Sequence, residues 1–264
     1  MPPSLTPGAP ALPFYTRDGE RFLATVSTRG PWSNDHQHAG PPSALLVRAF
    51  ERHAPEMRLA RISCEMRRPI PIGSCLVETN VERAGRKSLV ASGQLSVDGT
   101  VVLTARALLV REIESPVVVH DAPPDRPPQA FDPYTFTFFQ SDVGYHTAIE
   151  LRRVSGAFGS GRMSCWMRQR APLIDGEAPS GAQRVLVLAD AGSGVSAALD
   201  ITRYTFVNAD LSVHLQRPIS GEWLLLDAAT SSAGNGSALA DSRLSDERGL
   251  VGRGLQSLVV DNLT

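Results

Sequence analysis

A surplus of charge of either sign is what this sequence lacks first: 27 acidic side chains stand against 26 basic ones, for a formal net charge of -1. Binding driven by neutralising phosphates is therefore not expected, which argues against a nucleic-acid partner. No apolar run approaches the ~18 residues needed to span a membrane. The opening Met1-Pro2-Pro3-Ser4 has neither the basic nor the apolar region of a signal peptide. Cysteine is scarce. Cys64, Cys75 and Cys165 are odd in number and widely spaced, so they read as buried thiols of a reducing, cytoplasmic protein. Asp35-His36-Gln37-His38 has no further ligands at metal-site spacing, and no metal is expected. The glycine clusters at Gly85, Gly192-Ser193-Gly194 and Gly234-Asn235-Gly236 complete no phosphate-binding fingerprint. There is also no Gly-x-Ser-x-Gly elbow for a serine nucleophile.

What the chain does have is apolar content, 42% over 264 residues, enough for one large domain or two ordinary ones. In Gln183-Arg184-Val185-Leu186-Val187-Leu188-Ala189-Asp190, five apolar residues run unbroken into a single carboxylate. A helix apolar on every face belongs inside a protein. A carboxylate there needs a partner or has a task. Taken alone, Asp190 also reads as a simple helix end, since Gly192 and Gly194 follow.

The rest of the chain decides between these. Pro-rich Met1 to Pro13 reads as a loosely docked lead-in, and Phe14 to Thr28 as a hairpin turning at Asp18-Gly19. A helix is expected from Pro42 to His53, with proline in its first turn. Strands follow over Ile62–Pro69, Leu76–Arg83, Ser88–Val97 and Val101–Val110, with a tight turn at Asp98-Gly99. Six prolines between Ile113 and Pro133 mark an extended linker.

The second half then repeats the first. Gly181 precedes the Ala182–Asp190 helix as Gly40 precedes the first one. Leu211 to Ile219 echoes Ile62 to Ile70, with Arg217-Pro218 standing for Arg68-Pro69. Arg68 lies thirty positions before Asp98, and Arg217 twenty-nine before Asp246. With Gly181 on Gly40, Asp190 falls opposite Ala49; with Gly249 on Gly99, Gln256 falls opposite Arg106. Only the second copy carries the acid and the amide together, and that favours a site.

Gln37-His38-Ala39-Gly40-Pro41-Pro42, the two Arg-Pro pairs, Glu222-Trp223-Leu224-Leu225 and Leu255-Gln256-Ser257, in this order and spacing, give a likeness that covers nearly the whole chain after Phe14. The chain resembles the double-hotdog acyl-CoA thioesterases of the thioesterase II type. The resemblance implies an α+β double hotdog, two tandem repeats each made of an antiparallel sheet wrapped around a central helix. The repeats are expected over 14–112 and 134–264, with 113–133 as the linker. It also implies a water held between an Asp on the hotdog helix, a Ser or Thr at a strand end and a Gln on the last strand. Asp190, Thr230 and Gln256 match, the hydroxyl lying seven positions beyond Trp223. Ser231 and Ser232 stand beside Thr230, and a one-residue slip would exchange them.

The expected reaction is hydrolysis of an acyl-CoA thioester by a water that Asp190 deprotonates, without a cofactor because the thioester is already activated. His38, Gly40 and Ser231 are expected at the substrate, and His36 is a further candidate for the tunnel wall. Phe50, Phe136, Phe138 and Phe139 are candidates for the acyl wall, whereas Trp32, Trp166 and Trp223 read as core. Two alternatives stay open: an acyl-thioester binding protein without chemistry, and an enoyl-thioester hydratase. Against the hydratase, no His follows Asp190 within the next residues, where such enzymes usually carry an Asp/His pair. Edge-to-edge pairing of hotdog sheets implies a homo-oligomer.

Overall fold

The computed structural model of the chain describes residues 12–114, 122–136 and 138–263. Most of the expected lead-in and residues 115–121 of the expected linker lie outside the described residues. An N-terminal hairpin, β1 (Tyr15–Asp18) and β2 (Arg21–Ala24), turns at Gly19-Glu20, one position beyond the expected Asp18-Gly19, because Asp18 still pairs with Arg21. Helix α1 (Gly40–Glu51) carries Pro41 and Pro42 in its first turn, where missing N–H groups cost nothing. Then come β3 (Met57–Met66), β4 (Ser74–Ala84), β5 (Ser88–Val97) and β6 (Thr100–Arg111). Asp98 and Gly99 both take positive φ, 49° and 80°, the pair of left-handed residues a tight two-residue hairpin requires.

In the second half, α2 (Tyr145–Ala148) leads into β7 (Ile149–Ala157) and β8 (Arg162–Gln169), two strands the sequence pattern did not single out. Helix α3 (Gly181–Ala189) is capped by Ser180, whose hydroxyl accepts from the Gln183 N–H. A short turn of helix, α4 (Gly192–Val195), precedes β9 (Tyr204–Asn208), β10 (Asp210–Leu215), β11 (Trp223–Ser232), β12 (Ser237–Asp246) and β13 (Gly249–Asn262).

All the strands of the described residues join one antiparallel sheet in the order β1-β2-β4-β5-β6-β3-β10-β13-β12-β11-β8-β7, with β9 added to β13. The order reads as two mirror-related sets of six that meet where β3 pairs with β10. Each set curls around one helix, giving the double hotdog. Val185 to Ala189 of α3 are fully buried. Each of the four larger side chains contributes about 1.5–3 kcal/mol of burial, which a nine-residue helix could not gain from propensity alone.

The two helices touch at Gly40, where a Cβ would fall well inside contact distance of the Val187 carbonyl. Register corrects one correspondence drawn from the repeat. Ser63 pairs with Arg106 while its counterpart Ser212 pairs with Leu255, so Gln256 stands opposite Ala107 rather than Arg106. Both hairpin turns have two residues, Asp98-Gly99 and Glu247-Arg248; the one-residue slip arises because Gly249 is the first residue of β13 and corresponds to Thr100 rather than to the turn residue Gly99. The asymmetry survives the correction, since the first copy has alanine at both places, Ala49 and Ala107.

Arg217 of the second Arg-Pro pair forms a two-pronged ion pair with buried Asp246, both contacts at 2.6 Å. Asp246 also accepts from the N–H groups of Ser220 and Arg248. Burial alone would raise the Asp246 pKa, but these donors outweigh it and hold the carboxyl below its ordinary value. A depressed native pKa stabilises the fold above the unfolded aspartate range near ~4 and is lost as pH falls through the lower native value. Asp246→Asn is expected to cost about 2–4 kcal/mol at neutral pH. Denaturant melts across pH should show the gap to wild type closing on the acid side. Gly40→Ala should lower Tm by about 2–12 °C, because the helix contact has no room for a methyl group.

Candidate active site

Asp190 is the residue immediately after α3, still in helical conformation, and it is 2% exposed. Beside it, Gly192 packs closely on β12 and β13: a Cβ there would lie 2.5 Å from the Ser242 Oγ and 2.7 Å from the Gln256 Oε1, so a larger residue would displace one or both side chains. Gln256 is itself 1% exposed. Its Nε2 donates to the Asp190 backbone carbonyl at 3.0 Å and, more loosely, to Asp190 Oδ1 at 3.4 Å; its Oε1 accepts from the Ser193 N–H at 2.9 Å. Asn208, at the end of β9, donates from Nδ2 to Asp190 Oδ1 at 2.8 Å. The Asn208 Oδ1 in turn accepts from the Ser193 hydroxyl at 2.8 Å.

The other carboxylate oxygen faces the first repeat. His38, in the loop before α1, places Nδ1 2.8 Å from Asp190 Oδ2. The imidazole lies flat on Tyr145 of α2, ring centroids 3.7 Å apart and planes within 2°. Burial, with the Asp190 charge adding to it, pushes the Tyr145 phenol well above its ordinary value. It stays protonated and donates to the Val187 carbonyl at 2.8 Å, which fixes the ring under His38. A buried charge is tolerable only when its lone pairs are filled. Here donors from both repeats fill them.

Asp190, His38 and Tyr145 line a cavity of about 600 Å³, in the range of a small-molecule site. Phe136, Phe138 and Phe139 form one apolar wall, with Phe158 stacked behind Phe138. Phe206 forms another, meeting Trp32 edge to face. Trp32 is thus a cavity residue, whereas Trp166 and Trp223 are core as expected. Phe50 is not at the cavity. It is fully buried under Gly93 of β5. His36, Arg67 and Arg68 stand on the cavity wall as well. The three cysteines are free and buried, and burial pushes the Cys64 thiol up to about 12.

Of the residues expected at the site, the structure brings together Asp190, Gln256 and His38. Gly40 is buried beside them, packed against Val187. Thr230 and Ser231 are not brought there. Thr230 shares a row with Ala240 and Gln256, two strands and roughly 10 Å from Gln256. Serine 196, just beyond α4, holds the Thr230 hydroxyl at 2.7 Å. Ser231, the next residue on the strand, points to the opposite face and is exposed. The place expected for a hydroxyl is occupied by the Asn208 amide. Asn208 stands where the first repeat has the buried Leu59, so the comparison that singled out Asp190 could have found it, had the strand not been started at Leu211.

The fold and site define a double-hotdog protein with one polar centre set against one apolar cavity. The sequence matches the acyl-CoA thioesterase C-terminal domain over residues 120–260 and the acyl-CoA thioesterase N-terminal domain over residues 28–110. The chain belongs to the acyl-CoA thioesterase family, a family of thioester hydrolases. A provisional thioesterase from Novosphingobium aromaticivorans is 26% identical, over 94% of this chain and 99% of that one, with a TM-score of 0.76. A hot dog fold protein of unknown function from Alicyclobacillus acidocaldarius is 15% identical, over 95% and 96%, with a TM-score of 0.75. An acyl-CoA thioesterase II from Mycobacterium marinum is 19% identical, over 94% and 95%, with a TM-score of 0.66. Among curated proteins none matches the chain.

Of the two candidates for the third group, Asn208 touches the Asp190 carboxylate and Thr230 touches Ser196. Asn208→Ala should lower thiol release from acyl-CoA by about 10²-fold, as expected when a carboxylate loses its orienting partner. Thr230→Ala should stay within about 3-fold, since only the Ser196 contact is lost. Steady-state assays on the two purified variants check this.

Proposed function

We propose that this chain hydrolyses the thioester bond of an acyl-CoA at the Asp190 centre, releasing free acid and coenzyme A. The observation that carries the reading is a carboxylate 2% exposed, held by His38, Asn208 and Gln256, at the wall of an apolar cavity. A charge kept in such surroundings, with its orientation fixed from three sides, suits a reaction that removes a proton from water. The acyl chain would lie along Phe136, Phe138 and Phe139, with its carbonyl toward Asp190. Gln256 and Asn208 hold the carboxylate in place, and Thr230 has no direct part. No cofactor is called for, because a thioester needs only an activated water.

A second reading, addition of water to an enoyl thioester, is favoured by one observation. The structure supplies from the first repeat the histidine that the sequence around Asp190 lacks. Both reactions place a water beside the same pair, and they differ in product.

Wild-type protein offered a panel of acyl-CoAs of increasing chain length should release free thiol. Asp190→Asn should lower kcat by about 10²–10⁴-fold, the size expected when a proton-accepting centre loses its carboxylate, with thermal melting nearly unchanged. Turnover that survives the substitution would reduce Asp190 to a helix end. No thiol release, together with calorimetric binding of acyl-CoA, would leave a binding protein. Hydration of an enoyl-CoA without thiol release would establish the second reading.

A further inference from the structure

Asp190 is poorly placed to meet a water directly. Oδ2 accepts from His38, Oδ1 accepts from Asn208 and more loosely from Gln256, and the residue is 2% exposed. Both members of the pair line the cavity, and His38 is the more open of the two, its side chain 12% exposed against 2% for Asp190. The 2.8 Å contact with the carboxylate, closer than the Gly40 N–H that approaches Nδ1 at 3.4 Å, sets the proton of a singly protonated imidazole on Nδ1 and leaves the lone pair on Nε2. Among the described residues no protein group bonds Nε2. The Nδ1 bond to Asp190 fixes which way the ring is turned, and the flat stack on Tyr145, itself pinned to the Val187 carbonyl, fixes its plane.

We infer that His38 Nε2, not the Asp190 carboxylate, takes the proton from the attacking water, and that Asp190 acts through His38 as a positioning and charge-balancing residue. The inference rests on the thioesterase reading. The water oxygen bonds to the thioester carbonyl carbon as its proton passes to Nε2, and the carbonyl π pair moves onto oxygen. The tetrahedral intermediate then re-forms the carbonyl and breaks the C–S bond. The sulfur leaves with the bonding pair and takes the proton back from Nε2. Imidazole is restored, with acid and thiol as the products. Asp190 keeps its bond to Nδ1 throughout and balances the imidazolium that forms in between. The charged or titratable groups around His38 are Asp190 after α3, Tyr145 on α2, Asp35 and His36 on its own loop, and Arg67 and Arg68 after β3.

The informative variant is His38→Asn, whose amide N–H can replace Nδ1 as the donor to Asp190 while Nε2 is removed. Its kcat for acyl-CoA hydrolysis should fall by about 10²–10³-fold with KM within about 3-fold. The acid limb of its kcat/KM profile should move to lower pH. A rise in KM with kcat and the acid limb unchanged would make His38 a substrate contact only and overturn the inference. The thioesterase reading would survive that result. Wild-type protein that releases no thiol would overturn both. Diethyl pyrocarbonate on wild-type protein needs no folded variant: activity should fall in step with modification mapped to His38, and an enzyme still active with His38 fully modified would also overturn it. His38→Ala should regain part of its turnover when imidazole is added.

Discussion

One charge sets the terms for the rest of this molecule. The Asp190 carboxylate ends a helix whose Val185–Ala189 segment is entirely buried, in surroundings that would expel it if it were unpaired. Its donors come from three places: a loop of the first repeat, the end of β9, and β13. The close helix contact at Gly40 and the close approach at Gly192 look incidental singly. Together they bring His38 and Gln256 to opposite sides of one residue. The sheet seam between β3 and β10 holds that arrangement, because it fixes the two repeats as one body.

Duplication has produced a mirror place in the first repeat that carries none of this chemistry. Ala49 stands for Asp190, Ala107 for Gln256, Leu59 for Asn208 and Pro179 for His38. Near it the side chains make structural pairs instead: Arg48 with Glu177, and Gln183 and Ser180 with Glu51. The Arg-Pro pairs diverge in the same way. Arg217 is committed to Asp246, whereas Arg68 has no ion-pair partner among the described residues and stands at the cavity. One copy keeps a fold contact where the other leaves a cation at the cavity.

Much of this was legible in the sequence because duplication provides an internal control. An acid opposite an alanine stands out without any outside comparison, and the apolar run before Asp190 marks it as buried. The fold followed from the period change between helix and strands and from the order of turns. What failed were positions that depend on register. The Gln256 correspondence slips by one because the glycine of the first turn, Gly99, is matched by a glycine that already belongs to the strand, Gly249, and the distance of Thr230 from Trp223 does not report that α4 lies over that strand. The strands β7 and β8 went unmarked, and His38 could be named but not joined to Asp190. No local pattern reports a contact between residues 38 and 190, which are brought together only when the two helices pack.

The placement of these donors along the chain has a kinetic meaning. His38, Asp190 and Gln256 span 218 positions from first to last, yet they converge on one carboxylate. Such distant contacts form late, after the sheet seam has closed the intervening loops. The Asp190 centre is complete only where one repeat is docked against the other.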